Sequence, residues 1–147
     1  MLKTRHKVYF CDARRMQMLP SASVDLIVTS PPYPMIQMWD AVFCQQDPRI
    51  ADALAKGRSK DAHEFMHGLL DPVWKESFRV LKPGGFVCIN IGDATRSVGG
   101  DFALYPNHAR ILQHLSQCGF TILPDILWRK QTNAPNKFMG SGMLPAG

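Results

Sequence analysis

Several things are scarce in this sequence, and each scarcity removes a class of function. No run of about 18 or more apolar residues appears, so nothing in the sequence reads as a membrane-spanning helix. The first ten residues, MLKTRHKVYF, lack the apolar core of a secretory signal, which points to a cytoplasmic home. Cys11, Cys44, Cys88 and Cys118 lie far apart with no CxxC pair, as expected of free thiols in a reducing compartment. Glutamate occurs only at positions 64 and 76, which leaves few candidates for a glutamate as third protein ligand in a zinc site. Internal repeats and low-complexity tracts are also missing.

What is present suits one domain: 147 residues with 46% hydrophobic content suffice for a single core. The net charge is +5, with basic residues grouped at Arg5–Lys7, Arg14–Arg15, Lys56–Lys60 and Arg129–Lys130. Such charge suits a polyanion partner, although many basic proteins bind none.

Strand-like and helix-like segments alternate along the chain. Lys7 to Phe10 reads as a short strand and Val24 to Thr29 as a strand buried on both faces. Ala62 to Leu81 reads as mostly helical, with a break and fresh start at Asp71-Pro72. Lys82-Pro83-Gly84-Gly85 predicts a stop and turn, followed by a second buried strand from Phe86 to Ile91. Asn107 to Gln117 predicts a helix closed by Gly119, and Phe120 to Trp128 a third strand bent at Pro124. The remainder has loop chemistry. This alternation predicts an α/β layer with a largely parallel sheet, in which ligands bind beyond the carboxyl ends of the strands. Ser30-Pro31-Pro32-Tyr33 follows one predicted strand directly, and Gly92-Asp93 follows another.

Adjacent prolines in the first of these loops surrender backbone donors but fix two φ angles, so the carbonyls point in set directions. With the Ser30 hydroxyl they offer several acceptors around one point, and Tyr33 adds a flat face beside them. That combination suits a planar molecule carrying an NH2 group, such as a nucleobase. An exocyclic amino nitrogen is a poor nucleophile because its lone pair is delocalised into the ring. Acceptors that hold both hydrogens favour a tetrahedral nitrogen and restore the pair, which is catalysis by position and electrostatics.

TSPPY after an apolar strand resembles the amino-DNA methyltransferases, which move a methyl group from S-adenosylmethionine to adenine or cytosine. VYFCDARRMQMLPSASVDLIVTSPPY, RVLKPGGFVCINIGD and ILWRKQTNAPNKF resemble three blocks of the circularly permuted members, whose catalytic loop precedes the cofactor half. The resemblance implies a Rossmann-like methyltransferase fold, here partial: an incomplete, mostly parallel sheet flanked by helices. It implies a catalytic set of Ser30, Pro31, Pro32 and Tyr33. Asp12, Ser30, Asn90 and Asp93 become candidate cofactor contacts, and Tyr33, Trp128, Lys130, Asn133 and Lys137 candidate contacts to the target base or DNA. Serine before Pro-Pro usually accompanies cytosine N4 in this family and Asp or Asn adenine N6, so cytosine in DNA is the first expectation and adenine the alternative. The 5-methylcytosine enzymes need a Pro-Cys nucleophile, and Cys44 has no proline before it.

Two features depart from the family pattern or compete with it. Phe138-Met139-Gly140-Ser141-Gly142 spells the family's glycine-rich cofactor loop, but no apolar strand precedes it and only five residues follow. It reads instead as a loop in a DNA-facing segment. Residues 1–129 then form the catalytic half of a methyltransferase domain, and 130–147 lead into a truncated DNA-recognition segment. Such a chain lacks the cofactor half, and a second chain or self-association would complete it. His63-Glu64-Phe65-Met66-His67 spells the zinc-hydrolase pattern HExxH, yet no third ligand follows; a solvated helix face with incidental histidines is the expectation, and no metal. A DNA-binding remnant without activity, and a methyltransferase acting on RNA or protein, are the remaining alternatives. Individual residues also have plain structural readings: Tyr33 as turn packing, Asn90 and Asp93 as caps, Asp12 as a turn acceptor, Trp128 as core, and Lys130, Asn133 and Lys137 as a solvated loop.

Overall fold

The structure, a computed structural model, describes residues 3–128. Chain order runs β1 (Val24–Thr29), a 3-10 turn (Gln37–Trp39), α1 (Asp40–Gln46), α2 (Pro48–Ala55), α3 (Ser59–Val80), β2 (Leu81–Ile89), β3 (Ala94–Val98), β4 (Asp101–Tyr105) and α4 (Asn107–Cys118). β1 and β2 pair in parallel, and β3 and β4 form a separate antiparallel hairpin. The molecule is therefore an α/β structure with a small, partial parallel sheet.

The 22-residue α3 organises the core. Ala62, His63, Met66, His67, Leu70, Trp74 and Ser77 recur at the spacing that puts them on one helical face, and all are buried. Lys60, Glu64 and Lys75 point outward. Against the buried face pack Phe43, Ile50, Ala53, Val98, Tyr105, Ile111 and Leu115 from the neighbouring elements. The break expected at Asp71-Pro72 does not occur, because α3 continues straight through Pro72. Pro72 removes only the hydrogen bond to the carbonyl of Gly68, a residue on the exposed side. A proline inside a helix costs about 3 kcal/mol or more, and burying Leu70 and Trp74 on either side offsets a cost of that size.

The β1–β2 register explains Lys82-Pro83-Gly84-Gly85. Val24 faces Leu81, but Leu26 faces Phe86, so residues 82–85 stand opposite Asp25 alone. The expected stop and turn is thus a bulge inside a longer strand, with Lys82 Nζ on the Asp25 carboxylate at 2.8 Å. Beyond it the pairing is regular from Leu26–Phe86 to Thr29–Ile89, and the Asn90 N–H extends it by donating to the Thr29 carbonyl at 2.9 Å.

Two expected strands are not formed. Lys7 to Phe10 and Phe120 to Trp128 do not run as strands, and Phe10, Ile126 and Leu127 are almost fully exposed. A strand needs a neighbour to take its backbone groups, and β-propensity alone does not supply one. Conversely, the β3–β4 hairpin was not foreseen. Its two-residue turn, Gly99-Gly100, has φ of 63° and 91°, the primed-turn geometry that glycine adopts without strain. Gly99 also presses on the turn between α2 and α3: a Cβ there would lie 2.8 Å from Gly57 Cα. Arg96 of the hairpin grips Asp40 of α1 through two hydrogen bonds of 2.8 and 2.7 Å, and closes the helical side.

The N-terminal segment is held by α3. Arg79 donates to the carbonyls of Leu19 and Met16 at 3.0 and 3.2 Å, and Glu76 accepts from the Met16 N–H at 2.8 Å. All four cysteines are free thiols. Among the described residues no helix is long and apolar enough to cross a membrane.

Candidate active site at the carboxyl ends of β1 and β2

The two loops singled out in the sequence do meet. The loop after β1 and the segment after β2 lie side by side, with Tyr33 over Gly92: a methyl group on Gly92 would stand 3.5 Å from Tyr33 Cε2. Ser30 is exposed, Pro31 buried, and Pro32 and Tyr33 half-buried. The Ser30 hydroxyl makes a long hydrogen bond of 3.4 Å to the Tyr33 hydroxyl, and its exposure leaves its lone pairs accessible to a ligand. The loop therefore presents a polar rim on a rigid, partly buried base.

Just beyond Tyr33 the backbone is conformationally unusual. Met35 is buried and has φ of 64°, a left-handed conformation that a non-glycine residue adopts only when its surroundings impose it. Its N–H meets the Met66 sulfur of α3 at 3.3 Å, and the Ile36 N–H closes a turn onto the Tyr33 carbonyl at 3.2 Å.

Asn90 and Asp93 stand on the second segment. Asn90 is exposed beside the end of β1. Asp93 accepts from the backbone N–H of His108 at 3.1 Å and from the His108 ring at 2.7 Å, so it caps the first turn of α4 from a distant point in the sequence. Asp12 lies in a turn on the N-terminal segment, where its carboxylate takes the Arg14 backbone N–H at 2.9 Å and the Arg14 guanidinium at 2.6 Å. These hydrogen bonds hold its pKa down at about 2. Trp128 is largely exposed and not part of the core. Lys130, Asn133, Lys137 and the FMGSG stretch lie outside the described residues.

The histidines of HExxH are not on a solvated face. His63 is 8% exposed and His67 fully buried, and both Nε2 atoms converge on Asn107 Oδ1 at 3.1 and 3.0 Å. Burial pushes both rings toward the neutral form, that of His67 to a pKa of about 4. Glu64 is exposed and pairs with Arg110 at 3.0 Å through one carboxylate oxygen, while the other stands 3.8 Å from the outer ring nitrogen of His63, away from the Nε2 atoms that meet Asn107. No third His, Cys, Asp or Glu joins them in a metal-binding group among the described residues. Asn107 touches the site through the Pro34 and Gly92 carbonyls and the two histidines touch Asn107, yet the sequence pointed to none of them in that role. A zinc-like pattern and a helix-starting asparagine were the visible signals, and their meeting depends on the packing of α4 on α3.

Comparison with known proteins agrees with this geometry. Residues 24–142 match the DNA methylase family of N6/N4 methyltransferases, and the chain belongs to that family. It is 48% identical to the type II methyltransferase M.MthZI of Methanothermobacter thermautotrophicus and 46% identical to M.MjaI of Methanocaldococcus jannaschii, in each case over 98% of this chain. These alignments cover 41% and 51% of the two relatives. Among solved structures, a Thermus thermophilus protein described as a putative DNA modification methylase, crystallised with S-adenosyl-L-methionine, superposes with a TM-score of 0.62 at 34% identity. That superposition covers 85% of this chain and 46% of the Thermus protein. The chain thus spans about half the length of the relatives it matches.

Proposed function

We propose that this chain is the catalytic half of a DNA methyltransferase that transfers a methyl group from S-adenosylmethionine to an exocyclic amino group, cytosine N4 before adenine N6. The observation that carries the reading is the meeting of the Ser30–Tyr33 loop with the Asn90–Asp93 segment at one edge of a parallel sheet. The target base leaves the DNA stack and lies against Tyr33. Ser30 and the Pro31 carbonyl accept from its amino group and localise the nitrogen lone pair for attack. Serine at position 30 supports cytosine, by the family resemblance.

The donor molecule supplies an electrophilic methyl group on a positively charged sulfur. Ser30 and Asn90, exposed acceptors at adjacent strand ends, fit its amino groups. Asp12 and Asp93 fit only by exchanging their present partners, Arg14 and His108. The Asp12 pair is exposed and worth about 1 kcal/mol or less, so a ribose diol competes with it readily. Residues 130–147 lead into the DNA-recognition segment, where Lys130, Asn133 and Lys137, with Trp128, contact DNA. The rest of the cofactor site comes from a further stretch of protein or a second copy.

The test is labelled methyl transfer to DNA by the complete enzyme, followed by digestion to nucleosides. N4-methylcytosine is the expected product, and N6-methyladenine would overturn the choice of base. Ser30→Ala is expected to lower transfer by about 100-fold, the scale for losing one preorganised polar contact to the reacting group; near-normal turnover would remove Ser30 from the mechanism. The net charge of +5 supports a second reading, DNA binding without turnover. It predicts salt-sensitive DNA affinity and no heat of S-adenosylmethionine binding in calorimetry of the folded chain.

A further inference from the structure

The HExxH pattern remains unused by the proposed chemistry, yet its histidines are among the most deeply buried polar groups in the molecule. We propose that Asn107, oriented by His63 and His67, is the positioning residue that locks the Ser30–Tyr33 loop against the end of β2. The proposal rests on the reading of that loop as the transfer site.

The loop needs an outside donor. Of residues 30–34, three are prolines without an N–H, so the segment has few means of tying itself down. Its carbonyls must be held by another part of the chain. Asn107, fully buried in the first turn of α4, donates one Nδ2 hydrogen to the Pro34 carbonyl and the other to the Gly92 carbonyl, each at 3.0 Å. Pro34 directly follows Tyr33, and Gly92 directly precedes Asp93. One side-chain amide therefore spans the two segments that make the site.

The same geometry fixes which way the amide faces. Two carbonyl acceptors on one side require the NH2 there, so Oδ1 must face the histidines. Oδ1 has two lone pairs, and the two Nε2 atoms approach it at 3.1 and 3.0 Å. The rings sit one helical turn apart on α3, with their Nε2 atoms 3.1 Å from each other, both aimed at one oxygen. With Nε2 protonated on each neutral ring, every hydrogen-bonding position of Asn107 is filled. Met66, between the two histidines in sequence, takes the strained Met35 N–H at 3.3 Å. α3 thus supports the loop twice, directly through Met66 and through Asn107 by way of the histidines.

Amide hydrogen exchange on the intact chain tests this without turnover, so a failure of methyl transfer bears on the proposed function and not on the anchor. In Asn107→Asp the carboxylate cannot donate to either carbonyl. Exchange at Tyr33, Met35 and Ile36 is expected to quicken by at least about tenfold, roughly the loss of two net hydrogen bonds, while α2 and the buried part of α3 keep their protection. His67→Gln, which restores a donor to Oδ1, should leave the loop near wild type, and His67→Leu should free it. This second pair decides the matter should the aspartate variant fail to fold. Unchanged loop exchange in folded Asn107→Asp or His67→Leu, or uniform loosening of the whole chain, would overturn the anchor. So would stoichiometric zinc in the wild-type chain that disappears on changing His67, because the histidines would then be metal ligands.

Discussion

The two sides of this molecule differ in how complete they are. On the helical side Trp74, Met66, Ile50 and Phe43 are at most 2% exposed and pack against one another. On the sheet side, Leu26, Val28, Phe86 and Cys88 share one face of the β1–β2 pair and all are exposed, Val28 to 72%. Parallel strands are normally covered on both faces, since their connections place helices above and below. Here α3 lies under one face, and among the described residues nothing covers the other. The apolar face that needs a cover belongs to the strands that carry the candidate site, whereas the closed half is the support for it.

That contrast can be broken or sharpened by three measurements. The largest effect belongs to Trp74→Ala, which should cost about 3–5 kcal/mol in denaturant unfolding, a large part of the stability of a small domain. A much smaller cost would mean that the helical side is loosely packed.

Next comes pH. The His67 pKa is lowered in the fold from 6.5 to about 4, chiefly by burial, with the neighbouring His63 and Arg110 acting in the same direction and Asn107 and Glu64 opposing. Above pH 6.5 the ring is neutral in both folded and unfolded chains and costs nothing. Below it the unfolded chain takes up the proton first, so stability falls as pH drops from 6.5 to 4 and then levels. The loss for this ring is at most about 3 kcal/mol, and His63 adds to it in the same direction. Melting temperature against pH reads this directly, and His67→Gln should flatten the curve. A flat wild-type curve would show that the rings are not held neutral.

The smallest effect is expected on the bare face. Val28→Lys should change stability by no more than about 0.5 kcal/mol and reduce any self-association seen by sizing chromatography. A loss approaching that of Trp74→Ala would show that the face is covered after all.

What the sequence made legible follows the same division. The strand Val24–Thr29, the helix closing at Gly119, the strand after Gly85 and the convergence of two strand ends all came from local patterns: apolar runs, a capping glycine, turn residues. The burial expected of both strands was not met, because Leu26, Val28 and Phe86 lie on a face that no described residue covers. The segments Lys7–Phe10 and Phe120–Trp128 read as strands for the same local reason, but whether a strand forms depends on a neighbour that local pattern does not reveal, and neither runs as a strand. The hairpin from Ala94 to Tyr105 was missed although Gly99-Gly100 between β-rich flanks is a turn signal. The Asn107 network was not legible at all. Asn107 is 40 or more positions from the two histidines and meets them only through tertiary packing.

The bulge at residues 82–85 has a consequence for how such a protein tolerates change. It sits at the entry to β2, at the end of the sheet opposite the candidate site, and the pairs from Leu26–Phe86 onward are regular whatever happens before them. Residues added or removed there alter its size and leave the phase of the strand untouched, so Asn90 and Gly92 keep their station beside Ser30 and Tyr33. For anyone inserting a label or a linker into this chain, that bulge is the place where extra length is absorbed without reaching the chemistry.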